Sequence, residues 1–258
     1  ICLVLVITSG FAACEAFLGP YELSTEPTIA ASQSTPAMCT DGTKVYLVWE
    51  DEASGSGNVL FSVFENGTFS DPVVVNEEWA GISCTSPDIA VDSSGKIYVV
   101  WTDWRAGGSD VYLSTSMDGV TFSEDIKVNP DMGGLKSGAR ICIDNGKIYV
   151  LWFEDNNIFI TTSTDGQTFS APVQVNDNGP TATPDFAVYN NNVYVVWTDF
   201  RDNPEVGSIY YTYSTDGGAT FAPSYRIDDA GTIVGHLTPT ICAGSEGCLL
   251  YTSPSPRD

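Results

Sequence analysis

One short run of residues recurs four times and sets the architecture before anything else is considered. It reads Val45-Tyr46-Leu47-Val48-Trp49, Ile97-Tyr98-Val99-Val100-Trp101, Ile148-Tyr149-Val150-Leu151-Trp152 and Val193-Tyr194-Val195-Val196-Trp197. The tryptophans are 52, 51 and 45 residues apart. A period of roughly 40–50 residues is that of a four-stranded propeller blade. Each run is β-branched and aromatic, and apolar at every position. A strand sandwiched between two stacked sheets must be apolar on both faces, so strict alternation would be wrong here.

The rest of each repeat follows from the same frame. An inner strand precedes the run (Pro87 to Asp92, Arg140 to Asp144, Pro184 to Val188), and a Gly- or Asn-rich turn joins the two. After the tryptophan come a polar loop and a third strand (Val111 to Ser116, Ile158 to Ser163, Ile209 to Ser214). The fourth strand alternates, as a half-exposed outer strand does: Val73/Val75, Ile126/Val128, Val173/Val175 and Tyr225/Ile227 face one way, and Lys127, Gln174 and Arg226 the other. The expected blades are near 36–76, 87–128, 139–175 and 184–227, within an incomplete propeller over 36–247 whose fifth blade begins at Pro239. The fold class is therefore all-β, with four-stranded antiparallel blades. Twenty-four glycines and 14 prolines supply the turns this requires.

The turn between the third and fourth strands carries the most specific pattern. Ser214-Thr215-Asp216-Gly217-Gly218-Ala219-Thr220-Phe221 has the full form, whereas Ser163-Thr164-Asp165-Gly166-Gln167-Thr168-Phe169 and Ser116-Met117-Asp118-Gly119-Val120-Thr121-Phe122 are shorter by one residue. The first repeat keeps Gly67-Thr68-Phe69. An Asp carboxylate can accept from the amides ahead of it, glycine supplies positive φ, and the aromatic anchors the hairpin. This pattern resembles the Asp-box (BNR) repeat of sialidase-like β-propellers, over about residues 36–247. The resemblance implies six blades in a full-length protein. It also implies a structural role for Ser116, Asp118, Gly119, Thr121, Phe122, Ser163, Asp165, Gly166, Thr168, Phe169, Ser214, Asp216, Gly218, Thr220 and Phe221, on the face opposite any active site.

Chemistry on a propeller gathers where the loops after the tryptophan strands open. A carboxylate follows each tryptophan by two residues: Asp51, Asp103, Glu154 and Asp199. Two of these extend to Asp103-Trp104-Arg105 and Asp199-Phe200-Arg201. Two readings are open. The eight residues Asp51, Asp103, Trp104, Arg105, Glu154, Asp199, Phe200 and Arg201 form an acidic, aromatic mouth suited to a sugar or to Ca²⁺. Alternatively, each carboxylate closes its own loop and pairs with the Arg two residues on. The sialidase pattern itself is not matched: no Arg-Ile-Pro occurs, and no arginine precedes Arg105. No catalytic residue is assigned. His236 is the sole histidine and reads as a solvated loop residue.

Ten basic against 33 acidic residues give a net charge of −23, which repels nucleic acid and anionic lipid and slows an anionic sugar. Residues 1–13 read as a partial secretory signal, and Phe11-Ala12-Ala13-Cys14 resembles a lipobox with Cys14 as the lipidated residue. Residues 14–35 read as a linker. Cys39, Cys142 and Cys242 share one inner-strand position with Ala90 and Ala187, which marks tight packing rather than a metal site, and no Cys/His metal spacing occurs. A Cys39–Cys84 disulfide is open after export. Residues 248–258 resemble a translated sequencing adapter and are expected to lie outside the fold. The leading expectation is an extracellular, cell-surface or outer-membrane/periplasmic propeller that binds carbohydrate or a surface protein, or scaffolds an assembly. The rival is a sialidase-like glycoside hydrolase with its remaining catalytic groups in later blades.

Overall fold

The computed structural model describes residues 32–251 except 54, 56, 78–80, 106, 131–132, 178, 180, 229–237 and 245–246, with the backbone alone described over 247–251. The signal, Cys14, His236 and 252–258 lie outside the described residues. Those described contain strands and turns and no helix.

Each repeat is an antiparallel meander. The first comprises β1 (Gln33–Thr40), β2 (Val45–Asp51), β3 (Asn58–Glu65) and an outer strand split into β4 (Thr68–Phe69) and β5 (Val73–Val74). The second is β6 (Cys84–Val91), β7 (Ile97–Asp103), β8 (Asp110–Ser116) and β9 (Ile126–Lys127). The third is β10 (Lys136–Asp144), β11 (Lys147–Glu154), β12 (Asn157–Ser163) and β13 (Val173–Gln174), and the fourth β14 (Thr181–Tyr189), β15 (Asn192–Asp199), β16 (Ser208–Ser214) and β17 (Tyr225–Arg226). A fifth begins with β18 (Thr240–Gly244) paired to β19 (Gly247–Tyr251). The start of the adapter-like segment thus occupies the position of a second strand.

First strands pack against first strands, β1 on β6, β6 on β10, β10 on β14 and β14 on β18, so the inner strands form the axial wall. The core lies between blades rather than within them. One apolar cluster joins blades 1 and 2 through Val48, Phe61, Val99 and Trp101. A second joins blades 2 and 3 through Val100, Leu113, Val150 and Trp152, and a third joins blades 3 and 4 through Leu151, Ile160, Val195 and Trp197. Trp101, Trp152 and Trp197 are fully buried. At about 200 Å² per indole and roughly 25 cal/mol per Å², each contributes about 5 kcal/mol of apolar burial as an upper estimate.

Pairing in the inner strands begins at Gln33, Cys84, Lys136 and Thr181, three residues before the expected boundaries. A β-bulge follows the first two paired residues of each inner strand: residues 35–36, 86–87, 138–139 and 183–184 each oppose a single residue, the blade's tryptophan. Thr35, Ser86, Gly138 and Thr183 take positive φ there (48°, 53°, 61° and 47°). The strand continues past the bulge, so residues 33–35, expected in the linker, belong to the fold. A buried polar clamp, unmarked in the sequence reading, then ties each outer segment to the third strand. Asn76, Asn129 and Asn176 accept the amides of Val59, Val111 and Ile158 at 2.8, 2.6 and 2.8 Å, and Asp228 accepts that of Ile209 at 3.0 Å.

Candidate functional site

Asp51, Asp103, Glu154 and Asp199 are the last residues of β2, β7, β11 and β15, so they stand at the opposite end of the strands from the Asp-box-like turns. All four are buried. Asp103 Oδ2 accepts the Trp101 indole N–H at 3.1 Å and Arg105 Nη2 at 2.6 Å, while Oδ1 accepts the Arg105 amide at 2.8 Å. Asp199 repeats this with Trp197 (2.9 Å), Arg201 Nη2 (2.7 Å) and the Arg201 amide (2.8 Å). Glu154 accepts Trp152 Nε1 at 3.3 Å and pairs with buried Lys136 at 3.3 Å. Asp51 accepts Gln33 Nε2 and the Ala53 amide, both at 2.8 Å.

Of the two readings, the geometry is that of loop closure and internal pairing. Arg105 folds back over the Tyr112 ring, 4.3 Å from its centroid, and that ring stacks on Trp101. Arg201 lies over Tyr210 in the same way at 4.4 Å, with Tyr210 stacked on Trp197. Arg105 also bridges to Asp125 and to Glu77, and Arg201 to Asp177. Burial opposes ionisation of Asp103, but Arg105 and the Trp101 N–H outweigh it and hold the carboxyl below its ordinary range. Among the described residues no three Asp, Glu, His or Cys side chains converge to hold a metal ion, because each mouth carboxylate is engaged within its own blade. What the mouth offers outward is Trp104, 41 % exposed, with Phe200 partly exposed at the equivalent place.

The turns at the other end show the chemistry expected of their residues. Asp118 Oδ1 accepts the amides of Val120 and Thr121 at 2.9 and 2.8 Å, and Ser116 Oγ accepts that of Gly119. Asp165 and Asp216 do likewise, with Thr220 Oγ1 donating to Asp216. These bonds hold all three carboxyls below the ordinary range. The aromatics reach further than a hairpin anchor. Phe122, Phe169 and Phe221 pack into the clusters shared with the preceding blade, and Phe122 meets Phe61 edge-on at 5.4 Å. Cys39, Cys84, Cys142 and Cys242 are unpaired, and the Cys84 thiol donates instead to Asp103.

A charged set on the axial wall was not singled out from the sequence. Just past the bulge, Asp88, Arg140 and Asp185 occupy one position of three successive inner strands, where β1 has Ala37 and β18 has Thr240. Asp88 Oδ2 accepts the Ile141 amide at 2.8 Å, and Asp185 Oδ2 accepts the Ile241 amide at 2.9 Å, so each latches its blade to the next. Asp88 keeps part of its surface open yet is densely enclosed. That enclosure pushes its carboxyl up to about 6, with Arg140 opposing the rise and Asp185 adding to it. The signal was available: Asp88 and Asp185, each after a proline, are charges at matching positions of strands that are otherwise uncharged.

No protein-family model matches the chain, and no curated protein sequence does. Solved structures do. The GH93 α-L-arabinofuranosidase of Fusarium graminearum with arabinobiose aligns over 86 % of this chain and 75 % of its own, at 14 % identity and TM-score 0.67. The Penicillium chrysogenum α-L-arabinanase complexed with arabinobiose aligns over 87 % and 76 %, at 15 % identity and TM-score 0.66. The NanB sialidase of Streptococcus pneumoniae aligns over 86 % of this chain but 56 % of its own, at 11 % identity and TM-score 0.64. At such identities the likeness is one of fold: an all-β, sialidase-like propeller.

Proposed function

We propose that this chain is an exported propeller that binds carbohydrate through the face opposite its Asp-box-like turns. The observation that carries the reading is Trp104. It is an exposed indole held between Asp103 and Arg105, whose side chains are locked to each other and to the blade core. A large aromatic on a rigid mount presents apolar area with little ordering cost, which suits the faces of sugar rings. The described arginines of the mouth are spent on internal carboxylates, and the net charge of −23 disfavours an acidic ligand. The partly exposed Phe200 would extend the same surface, with Asp51, Asp103, Glu154, Asp199, Arg105 and Arg201 as its supports. Lipidation at Cys14 would hold the propeller at the cell surface, where a surface protein could be a further partner.

The test is titration of the full chain with immobilised oligosaccharides, comparing Trp104→Ala with the parent. Binding lost with an unchanged melting temperature supports the site, and equal binding by both chains removes it. A second reading, glycoside hydrolysis, is favoured by the enzymes that share this fold. Release of reducing sugar from arabinan, galactan or sialyllactose would establish it.

A further inference from the structure

Of the four described arginines, Arg105, Arg201 and Arg226 all make ion pairs, and Arg140 makes none. It stands half-buried on β10, on the axial wall, and its Nη1 donates to the Ala139 carbonyl at 3.0 Å. A guanidinium carries five N–H donors in a fixed fork. In a chain with 33 acidic residues, a half-buried arginine without a carboxylate partner is the exception, and here it lies at the same position as carboxylates on the strands to either side. Asp88 and Asp185 act on each other electrically and Arg140 acts on Asp88, so the three share one environment; the thiols of Cys39 and Cys142 also border it. Each carboxylate spends Oδ2 on its latch to the next blade, and a carboxylate has lone pairs for more than that.

We propose that Arg140, flanked by Asp88 and Asp185, is a binding site on the axial wall for a neutral sugar bearing adjacent hydroxyls. The inference rests on the carbohydrate reading above and names its substrate class. A sugar hydroxyl both donates and accepts, so a vicinal diol can take N–H donors from the guanidinium while giving its protons to the carboxylates. A uronic or sialic acid would meet two carboxylates for one guanidinium and be repelled. A cationic amine would lack a use for the guanidinium. Neutral diols are the ligands that satisfy donors and acceptors together.

The experiment uses the full chain and four probes: arabinobiose, a β-1,3-linked galactobiose, digalacturonate and sialyllactose. Calorimetric titration of the parent is compared with Arg140→Met, Arg140→Lys and Asp185→Asn. The methionine keeps the length of the stem, and asparagine keeps an acceptor for the Ile241 amide, so all three variants should melt as the parent does. The expected result is binding of a neutral disaccharide that weakens tenfold or more in Arg140→Met and Asp185→Asn, with partial retention in Arg140→Lys. Neutral binding unaffected by these changes but lost in Trp104→Ala would overturn the axial site and leave the carbohydrate reading standing. Preference for digalacturonate or sialyllactose would overturn the substrate class. Binding to none of the four, nor to any other immobilised oligosaccharide, would remove the carbohydrate reading and the axial site together.

Discussion

The Trp101 indole and the Asp103 carboxylate, two residues apart on β7, share a hydrogen bond of 3.1 Å in the fully buried end of the strand. The same carboxylate receives Arg105 and the Cys84 thiol. It therefore satisfies donors from the strand core, the loop above and the neighbouring inner strand. Removing it strands a guanidinium that is itself largely covered. Asp103→Ala should cost about 3 kcal/mol, the lower end for breaking a buried pair, because Asp125 still partners Arg105. Urea unfolding of the two chains checks this, and a cost below 1 kcal/mol would show the pair to be dispensable.

The pH dependence should carry the mark of Asp88. Its folded-state carboxyl lies at about 6 against an ordinary 3.8, so between those values the folded chain holds a proton that the unfolded chain has released. Its contribution therefore makes stability fall as pH rises from about 4 to about 6. Asp118, Asp165 and Asp216 are shifted the other way, and their contribution is lost only as pH falls below the ordinary carboxylate range. Urea midpoints across pH 4–7 should drop for the parent and flatten for Asp88→Asn. Parallel curves would refute the assignment.

Within one turn, the aromatic should outweigh the acid. Phe122→Ala opens a hole against Phe61 across the blade boundary and should cost about 3 kcal/mol. Asp118→Ala loses hydrogen bonds at an exposed turn, where water replaces them, and should lower stability by less than Phe122→Ala. Denaturation of both variants ranks them.

At the bulge, Gly138 takes φ 61°, and a methyl added there would meet no atom within 4 Å. Gly138→Ala should therefore show the backbone cost alone, about 1 kcal/mol. A larger loss would mean that the bulge is coupled to packing that the space around it does not reveal.

How much of this could be read from the sequence depended on how local the cause was. The tryptophan strands were legible because residues such as Val99 and Val100 must be apolar on both faces whatever their neighbours are. The Asp-box-like turns were legible because Asp118 and its amides lie within three residues. The inner strands were placed three residues short because a bulge at residues 35–36, 86–87, 138–139 and 183–184 separates their first paired residues from the rest, and pairing across it exists only against a partner strand. At the mouth, the sequence left both a ligand site and loop closure open. The groups that favour closure come from elsewhere: Asp125 lies 20 residues from Arg105, and Lys136 reaches Glu154 from another strand. Asp88 and Asp185 were visible as isolated charges at matching positions, but their latch to the next blade depends on rotation between repeats, which spacing does not encode.

The phenylalanines of the second, third and fourth turns pack into the apolar cluster that their blade shares with the one before it. The second and third repeats thus each present a plug on one side and a socket on the other, and the plug is a phenylalanine at all three junctions. A gene that duplicated one such unit in place would insert a plug where a socket stood ready and supply a socket for the plug downstream. Blade number could then change by unequal crossing-over with no existing junction redesigned, leaving the axial charges and the mouth aromatics as the features that selection would refine one blade at a time.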